Sequence, residues 1–355
     1  MKILILTQKV DKNDPIMGFF HGWLIEFSKH FERLTVICLQ KGDYNLPSNV
    51  MVLSLGKENF IDFKDFRPYR LFRKFKYVLT FWKYIWREKK NYDAVFVHMN
   101  QEYILLGSLV WKLLGKKVFM WRNHHAGNFL THVAVFLCDK VFCTSKYSYT
   151  ARFANAMLMP VGIDTGIFQK DIGVAKMPNS ILFLARIAPV KKPHILIEAL
   201  KLLRQKDIPF TASIYGDSIP KDREYHENLK KIVEKSELSQ LVSFHKGIPN
   251  TETVRVYNNH EIFVNLSSSG MYDKTIFEAM SCESLTLASN KNLYGIIDPK
   301  FIFEEDDVNG LAQKLEYLLA LSADEKIKQG MALRKVVIEN HSLKGLATKL
   351  ISALS

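Results

Sequence analysis

The feature that most constrains the fold is a repeated alternation of short apolar runs with segments of helical periodicity. Residues 2–7 form an apolar run, and residues 11–18 contain the Asp, Asn, Pro and Gly typical of a loop. Apolar side chains then recur at helical spacing, namely Trp23, Phe27 and Phe31. A second apolar run follows at residues 34–39. This order predicts the first unit of a doubly wound parallel sheet.

The same alternation continues in two series along the chain. Further strands are predicted at 93–98, 117–121, 140–144, 181–185, 210–215, 241–244, 262–266 and 285–288, and further helices at 103–114, 193–205, 224–236, 252–258 and 273–281. Residues 164–179 lack periodicity. We therefore predict an α/β protein with two Rossmann-like domains facing a central cleft: an N-terminal domain (1–165), a linker (166–179), a C-terminal domain (180–340) and a final helix (341–355) that can pack back toward the first domain.

Length and composition agree with a two-domain globular protein. The chain has 355 residues, 48% hydrophobic and 24% charged. The four cysteines form no CxxC pair, which argues against a disulfide framework or structural zinc and fits a reducing compartment. No apolar run resembles a signal peptide or a membrane span. We expect a cytoplasmic protein.

The positive charge is concentrated in the first half of the chain. The net charge is +13, and residues 1–165 hold 24 basic and 13 acidic residues. Such an excess suggests an anionic partner, such as nucleic acid, a membrane surface or a phosphorylated substrate, although a generally basic protein is the plain alternative.

Two common phosphate-binding motifs are absent from the sequence, but a loop with two cationic residues follows one of the predicted strands. Neither GxGxxG nor GxxxxGK[ST] occurs, which disfavours a dinucleotide dehydrogenase or a P-loop enzyme. Arg186 and Lys191 follow the strand predicted at 181–185 and precede a helix. Arg can bind a diphosphate with its planar guanidinium and Lys adds a point charge, while a solvated basic loop is the alternative.

A small polar loop precedes the predicted helix 273–281. Its Ser and Gly residues and the N–H groups at the helix start suit a phosphate or sugar hydroxyls. Asp273 is either a ligand-binding carboxylate or a helix N-cap. Glu278 lies within an apolar helix, where an unpaired carboxylate would be costly, so a ligand or partner is expected for it.

Histidines stand at the ends of two neighbouring predicted strands. His98 ends one strand, and His124 and His125 follow the next. They are either structural or part of a site at the carboxyl edge of the sheet. A metal site is poorly supported because no carboxylate or thiol has ligand spacing to them.

Residues 60–90 carry ten basic residues, three acidic residues and eleven aromatic rings. Apolar and basic residues separate at helical spacing, which indicates a basic amphipathic helix with interfacial Trp. The predicted membrane-binding residues are Arg73, Lys74, Lys76, Trp82, Lys83, Trp86 and Arg87. A core-packed helix with a solvated basic face is the main alternative, and nucleic-acid binding is a weaker one.

Taken together, these motifs resemble a family 4 glycosyltransferase of the GT-B fold over almost the whole chain. The resemblance is carried by the Gly18 loop, by Asp93-Ala94-Val95-Phe96-Val97-His98, by Val161-Gly162-Ile163-Asp164-Thr165 with Phe168, by Arg186 with Lys191, by Phe244-His245-Lys246-Gly247, and by Asp273 with Glu278-Ala279-Met280.

The resemblance implies a role for each of several residues. Arg186 and Lys191 match the pair that neutralises the donor diphosphate, and Glu278 matches the second Glu of a Glu-x7-Glu motif that holds the nucleotide ribose. His124, or alternatively His125, matches a histidine near the donor sugar. The remaining donor-binding candidates are Gly18, Gly216, Gly247, Ile248, Gly270 and Lys274.

One position departs from the family pattern. Gly270 stands eight residues before Glu278, where many members carry the first Glu, and Asp273 could supply the missing carboxylate. This departure bears on the identity of the donor sugar more than on the reaction class.

The expected function is the transfer of a sugar from a UDP- or GDP-sugar to a hydroxyl of a lipid-linked or polysaccharide acceptor, and the resemblance implies that this transfer is retaining and independent of metal. No cofactor and no nucleic-acid partner are expected, and the enzyme would associate with the inner face of the cell membrane. The alternatives are a GT-B sugar-nucleotide epimerase and a non-catalytic partner subunit.

Overall fold

The computed structural model describes residues 1–60 and 67–354. They form two compact units. The first contains Met1–Gly162 and the C-terminal segment that starts at Leu343, and the second contains Ile163–Ser342.

The described strands divide into two groups. The first unit contains β1 (Lys2–Val10), β2 (Arg33–Lys41), β3 (Val50–Ser54), β4 (Ala94–His98), β5 (Lys117–Trp121), β6 (Lys140–Cys143) and β7 (Ala156–Leu158). The second unit contains β8 (Met177–Leu184), β9 (Thr211–Tyr215), β10 (Val242–His245), β11 (His260–Asn265) and β12 (Leu285–Ala288).

The described helices follow the strands in alternation. They are α1 (Gly18–Ser28), α2 (Arg67–Arg87), α3 (Gln101–Leu113), α4 (Phe129–Phe136), α5 (Pro193–Gln205), α6 (Arg223–Lys235), α7 (Asn250–Asn259), α8 (Lys274–Ser281), α9 (Val308–Leu319), α10 (Ala323–Asn340) and α11 (Leu343–Leu354).

Each unit is built on a parallel sheet. The strand order is β3-β2-β1-β4-β5-β6-β7 in the first unit and β10-β9-β8-β11-β12 in the second, and every strand pair between described residues is parallel. Central strands such as β1 and β4 are continuous apolar runs because both faces of a parallel sheet are covered. The prediction of two Rossmann-like domains is confirmed.

Helices cover both faces of the seven-stranded sheet. Trp23 of α1 and Leu346 of α11 pack into one core cluster. Phe81 of α2, Trp111 of α3 and Val135 of α4 pack into the cluster on the other side. Helices α2, α3 and α4 therefore form one layer over the same face of this sheet.

Three elements of the first unit lie outside the predicted set: β3, β7 and α4. Strand β3 does contain a short apolar run at residues 50–53, but it lies at the edge of the sheet, where all five of its residues are only half-buried. Strand β7 has only three residues, and α4 has eight, which is too few for clear periodicity.

The predicted linker and the predicted basic helix have different bounds in the structure. Residues 166–179 belong to the second unit, where Phe168 is buried and its carbonyl accepts a 3.0 Å hydrogen bond from Arg334, and β8 already begins at Met177. Helix α2 occupies Arg67–Arg87 within the predicted segment 60–90, and residues 61–66 of that segment lie outside the described residues.

Among the described helices, none combines the length and the apolar character needed to cross a lipid bilayer.

Candidate functional site

The candidate site lies at the carboxyl edge of the five-stranded sheet. From β8 the chain proceeds outward to β9 and β10, and it then returns to the other side of β8 to form β11 and β12. The loops that follow β8 and β11 therefore leave in opposite directions. Open α/β sheets bind ligands in the crevice at such a switch point.

The two loops at this switch point are joined by an ion pair. Lys191 lies in a short 3-10 turn before α5, and Asp273 is the N-cap residue of α8. The Lys191 Nζ is 2.5 Å from the Asp273 Oδ2 and donates a 3.0 Å hydrogen bond to the Ser267 Oγ. The Ser267 hydroxyl in turn donates to Asp273 over 2.8 Å. Lys191 and Asp273 thus meet although they are 82 residues apart in the chain.

Asp273 is both a cap and a counter-ion. Its Oδ1 accepts hydrogen bonds from the Thr275 N–H and hydroxyl, at 3.3 and 2.9 Å. Burial disfavours the carboxylate, but the charge of Lys191 and the hydrogen bonds outweigh that effect, so the pKa of Asp273 lies well below its ordinary value. Asp273 is therefore ionised at neutral pH and neutralises Lys191.

Arg186 differs from Lys191 in having no hydrogen-bond or ion-pair partner among the described residues. It follows β8 in the loop that leads to Lys191, and its side chain is exposed. Within residues 1–60 and 67–354 it makes no hydrogen bond or ion pair. The net positive charge of the Arg186, Lys191 and Asp273 group therefore comes from Arg186.

Glu278 is buried in α8 and held by two uncharged donors. The Asn250 Nδ2 and the Tyr257 hydroxyl each lie 3.3 Å from one of its carboxylate oxygens. Burial raises the pKa of Glu278 despite the nearby charge of Lys274. Burial also lowers the pKa of Lys274 to about 8, while Glu278 and Asp164 oppose that shift. The expected partner of Glu278 is thus found in the protein.

Gly216 brings the end of β9 close to the end of β8. Its φ is +154°, and a Cβ there would lie 1.9 Å from the carbonyl oxygen of Ala185. The Gly216 N–H donates a 3.1 Å hydrogen bond to the His245 carbonyl. A residue with a side chain at this position would push the end of β9 away from Ala185, which precedes Arg186. Gly216 therefore supports the site through the position of the backbone.

The other predicted donor-binding residues of this unit also lie in loops at the carboxyl edge. Gly247 and the half-buried Ile248 follow β10, and a Cβ at Gly247 would lie 2.8 Å from the Asp217 carboxylate. Gly270 lies in the loop between β11 and α8. The switch-point loops thus contain Arg186, Lys191, Gly270 and Asp273, with Gly216, Gly247 and Ile248 beside them.

The loop around Gly270 is held by a carboxylate that no sequence pattern indicates. The Glu305 Oε1 accepts hydrogen bonds from the Ser269 N–H and hydroxyl, at 3.1 and 2.8 Å, and its Oε2 is 4.0 Å from the Lys192 Nζ. Glu305 is 36 residues from Ser269 in the chain, and neither periodicity nor a motif indicates this contact.

The remaining predicted residues of the donor site lie in the first unit. Gly18 is the first residue of α1 and donates its N–H to the Asp14 carbonyl over 2.9 Å. The half-buried His124 accepts a 3.0 Å hydrogen bond from the Ala126 N–H, and its ring stacks on the exposed ring of His125 with centroids 4.6 Å apart. His98 is buried and stacks on Phe20, which makes it a core residue of this unit.

Helix α2 has three faces rather than two: one packs into the core, one is apolar and exposed, and one is basic. Phe81 and Ile85 pack into the core, whereas Trp82 and Trp86 are 44% and 57% exposed. Three further apolar residues that share helical spacing with these tryptophans are also exposed, namely Leu71, Phe75 and Leu79. A helix that served only to pack against the core would bury these apolar side chains. The surface of α2 instead combines exposed apolar residues with basic residues.

One of the predicted membrane-binding cations differs from expectation, and another is paired with a carboxylate. Arg73 is half-buried rather than exposed, and Arg87 forms a 2.9 Å ion pair with Glu88. Lys74, Lys76 and Lys83 are exposed as predicted.

A family model matches the second unit. Residues 164–341, half of the chain, match the family described as glycosyl transferases group 1. The D-inositol 3-phosphate glycosyltransferase of Pseudarthrobacter chlorophenolicus is 26% identical over 151 residues, which correspond to 40% of this chain and 35% of that protein. The match therefore spans about a third of the length of this curated relative.

Solved structures match both units. Anabaena HepE in complex with UDP and glucose has a TM-score of 0.75 and 18% identity, with 100% of this chain and 99% of that chain covered. A variant of S. aureus TarM, in complex with fondaparinux, alpha-GlcNAc-glycerol and UDP, has a TM-score of 0.75 and 12% identity, with 100% of both chains covered. At these identities the similarity concerns the fold, which is GT-B. Since the family match covers half of the chain and includes the switch-point loops, the protein belongs to the group 1 glycosyl transferases.

Proposed function

We propose that this protein is a retaining family 4 glycosyltransferase. It transfers a hexosyl group from a UDP- or GDP-sugar to a hydroxyl of a lipid-linked or polysaccharide acceptor in cell-surface glycan synthesis, at the inner face of the cell membrane. The observation that carries the proposal is the cationic pair at the switch point of the five-stranded sheet, in which Arg186 has no partner among the described residues.

Arg186 and Lys191 suit a diphosphate in complementary ways. The Arg186 guanidinium can bind two phosphate oxygens at once. The Lys191 ammonium has three N–H donors, of which Ser267 and Asp273 take two, so one is left for a phosphate oxygen. Asp273 fixes the position of Lys191 but cancels its charge, so Arg186 supplies the attraction for the anion.

The proposed chemistry is electrostatic. As the bond between the sugar and the diphosphate breaks, negative charge grows on the leaving phosphate, and Arg186 and Lys191 stabilise that charge in the transition state. The resemblance to family 4 implies retention of configuration without a metal ion, with the departing phosphate taking the proton of the acceptor hydroxyl. No side-chain base is assigned.

Glu278 is proposed to hold the nucleotide ribose, again from the resemblance. Each of its carboxylate oxygens accepts one protein hydrogen bond and can accept another from a ribose hydroxyl. Gly216, Gly247, Ile248, Gly270 and Lys274 are proposed to line the donor site, and the resemblance also implies donor-contact roles for Gly18 and His124. The UDP present in the HepE and TarM complexes agrees with a nucleotide donor.

Arg186→Ala provides the main test. It should lower turnover with the correct nucleotide sugar about 10²-fold or more, on the scale of losing one transition-state charge contact. Lys191→Ala should have a similar effect on turnover, but it also removes the counter-ion of Asp273. The matched control is Arg204→Ala, which removes an exposed arginine from the last turn of α5 and should leave turnover unchanged.

Donor screening decides between the proposed enzyme and its alternatives. Wild-type protein is screened by calorimetry against UDP, GDP and their sugars, and the anomeric configuration of the product is read by NMR. Binding with transfer and retained configuration supports the proposal. Interconversion of nucleotide sugars would indicate an epimerase, and wild-type turnover in Arg186→Ala would remove the assigned role.

Membrane association is proposed from the surface of α2. Exposed Trp82 and Trp86 favour the headgroup region, and the exposed lysines favour anionic lipid. At about 1 kcal/mol for each basic residue, a Lys74→Ser, Lys76→Ser, Lys83→Ser variant should bind anionic liposomes about 100-fold more weakly. The matched control is Lys221→Ser, Lys231→Ser, Lys235→Ser, which removes three exposed lysines from the second unit. Equal sedimentation of both variants would refute the role of α2.

A further inference from the structure

Helices α3 and α4 expose large apolar side chains that no predicted role explains. Leu109 and Leu113 of α3 are 70% and 88% exposed, and Phe129 and Phe136 of α4 are 78% and 82% exposed. Leu130 beside Phe129 is 49% exposed. Single exposed apolar residues are ordinary, but clusters on adjacent helices usually mark an interaction surface.

Helical spacing places these residues on one outward face of each helix. Leu109 and Leu113 are four residues apart, and Phe129 and Phe136 are seven apart, so each pair lies on one side of its helix. The opposite side of α3 carries the buried Trp111, which packs toward the sheet.

The exposed faces are continuous with the surface of α2. Helix α3 contacts both α2 and α4, and all three cover the same face of the seven-stranded sheet. The Trp82 indole N–H donates a 3.0 Å hydrogen bond to the Leu106 carbonyl, which joins the exposed side of α2 to α3.

We propose that α3 and α4 form the apolar part of one lipid-docking face, in which their leucine and phenylalanine side chains enter the headgroup region of an anionic bilayer beside α2. The inference rests on the proposed membrane association and deepens it. Helix α2 supplies the electrostatic attraction, and α3 and α4 supply apolar anchoring.

Charge selects a bilayer over a second copy of the chain. Helix α2 carries seven basic residues and no acidic residue, whereas α3 carries one of each and α4 carries neither. A symmetric dimer through this face would bring two such basic helices together. An anionic lipid surface instead attracts the basic residues and accepts the apolar side chains.

The proposal predicts a component of binding that resists salt. The Debye length falls from about 10 Å at 0.1 M salt to about 3 Å at 1 M, which screens the α2 lysines but leaves apolar contacts in place. The test variant combines Leu109→Ser, Leu113→Ser, Phe129→Ser and Phe136→Ser. The control is Ile327→Ser with Met331→Ser, which replaces exposed apolar residues of α10.

Sedimentation uses the 355-residue chain with phosphatidylglycerol–phosphatidylcholine vesicles at 0.1 and 1 M salt, after melting curves have shown that each variant is folded. Wild type and the α10 control should retain part of their binding at 1 M salt. The four-residue variant should lose the binding that persists at 1 M salt. At 0.1 M salt its affinity for the vesicles should be lower than that of wild type by about tenfold or more. Leu109→Ser with Leu113→Ser alone should give an intermediate loss, which keeps the test available if the larger variant does not fold.

Three results would overturn the inference. If wild type binds these vesicles and the α3 and α4 variants bind equally well, these helices do not contact lipid, while the α2 proposal stands. If wild type is a dimer by light scattering and the variants are monomers, the face binds a second copy. If wild type ignores the vesicles at low salt, the membrane part of the proposed function also fails.

Discussion

Removal of the Asp273 carboxylate should have opposite effects on stability and on nucleotide affinity. The side chain is 14% exposed, caps α8 and pairs with Lys191, whose side chain is 26% exposed. In Asp273→Ala, loss of the N-cap costs about 1 kcal/mol. Loss of the charged hydrogen bonds to Lys191 and Ser267 adds about 2 kcal/mol. The ligand-free protein should therefore lose about 3 kcal/mol of unfolding free energy.

Asp273→Asn separates the two contributions. Asparagine caps helices as well as aspartate does but carries no charge, so this variant should lose about 2 kcal/mol. Thermal unfolding of the ligand-free protein measures both losses, at about 2–4 °C for each kcal/mol in a unit of this size. Both variants leave the charge of Lys191 uncancelled, so calorimetry should show tighter binding of the nucleoside diphosphate.

The pH dependence provides an internal check on the same residue. Because the folded-state pKa of Asp273 is lowered, its stabilising effect is complete above the unfolded-state pKa of about 3.9 and is lost as the pH falls below it. The difference between wild type and Asp273→Asn should therefore shrink at acidic pH. The reasoning would be refuted if the unfolding free energy of Asp273→Ala at pH 7 were within roughly 0.5 kcal/mol of the wild-type value, which is the scale of a neutral surface substitution. Unchanged nucleotide affinity in both variants would refute it as well.

Four further outcomes are expected. Gly216→Ala should cost several kcal/mol in thermal unfolding, because its Cβ would collide with a carbonyl oxygen; a loss below about 1 kcal/mol would show that the strand end relaxes easily. Glu278→Gln should weaken binding of free UDP or GDP in calorimetry, and unchanged affinity for both would reject the ribose role. Burial lowers the pKa of His341 to about 4, so stability should fall as the pH drops from about 6.5 toward 4, by at most about 1.4 kcal/mol per pH unit; the His341→Phe protein should show a shallower fall. Activity should survive excess EDTA, and its loss with recovery on adding magnesium or manganese would contradict the metal-independent proposal.

The two sheets and the position of the cationic loop could be predicted from sequence because both depend on local order along the chain. Continuous apolar runs separated by helical segments are compatible with strands buried on both faces, which is the condition of a parallel sheet. Arg186 and Lys191 follow such a run directly, so they must lie at the carboxyl end of a strand. The family resemblance added roles to these positions but was not needed to place them.

Contacts between distant segments could not be predicted in the same way. Lys191 meets Asp273, and Ser269 meets Glu305, because the sheet order places β11 beside β8. A different strand order would separate these side chains while leaving every local pattern of the sequence unchanged.

The orientation of α2 shows the same limit. Its sequence has apolar residues on more than one side, and periodicity alone does not show which side faces the sheet. Packing buries Phe81 and Ile85 and leaves Trp82 and Trp86 exposed. The sequence by itself thus determined that the helix is amphipathic and basic. Only the tertiary structure decided which apolar face remains exposed, because burial depends on the neighbouring sheet and on α3, which lie elsewhere in the chain.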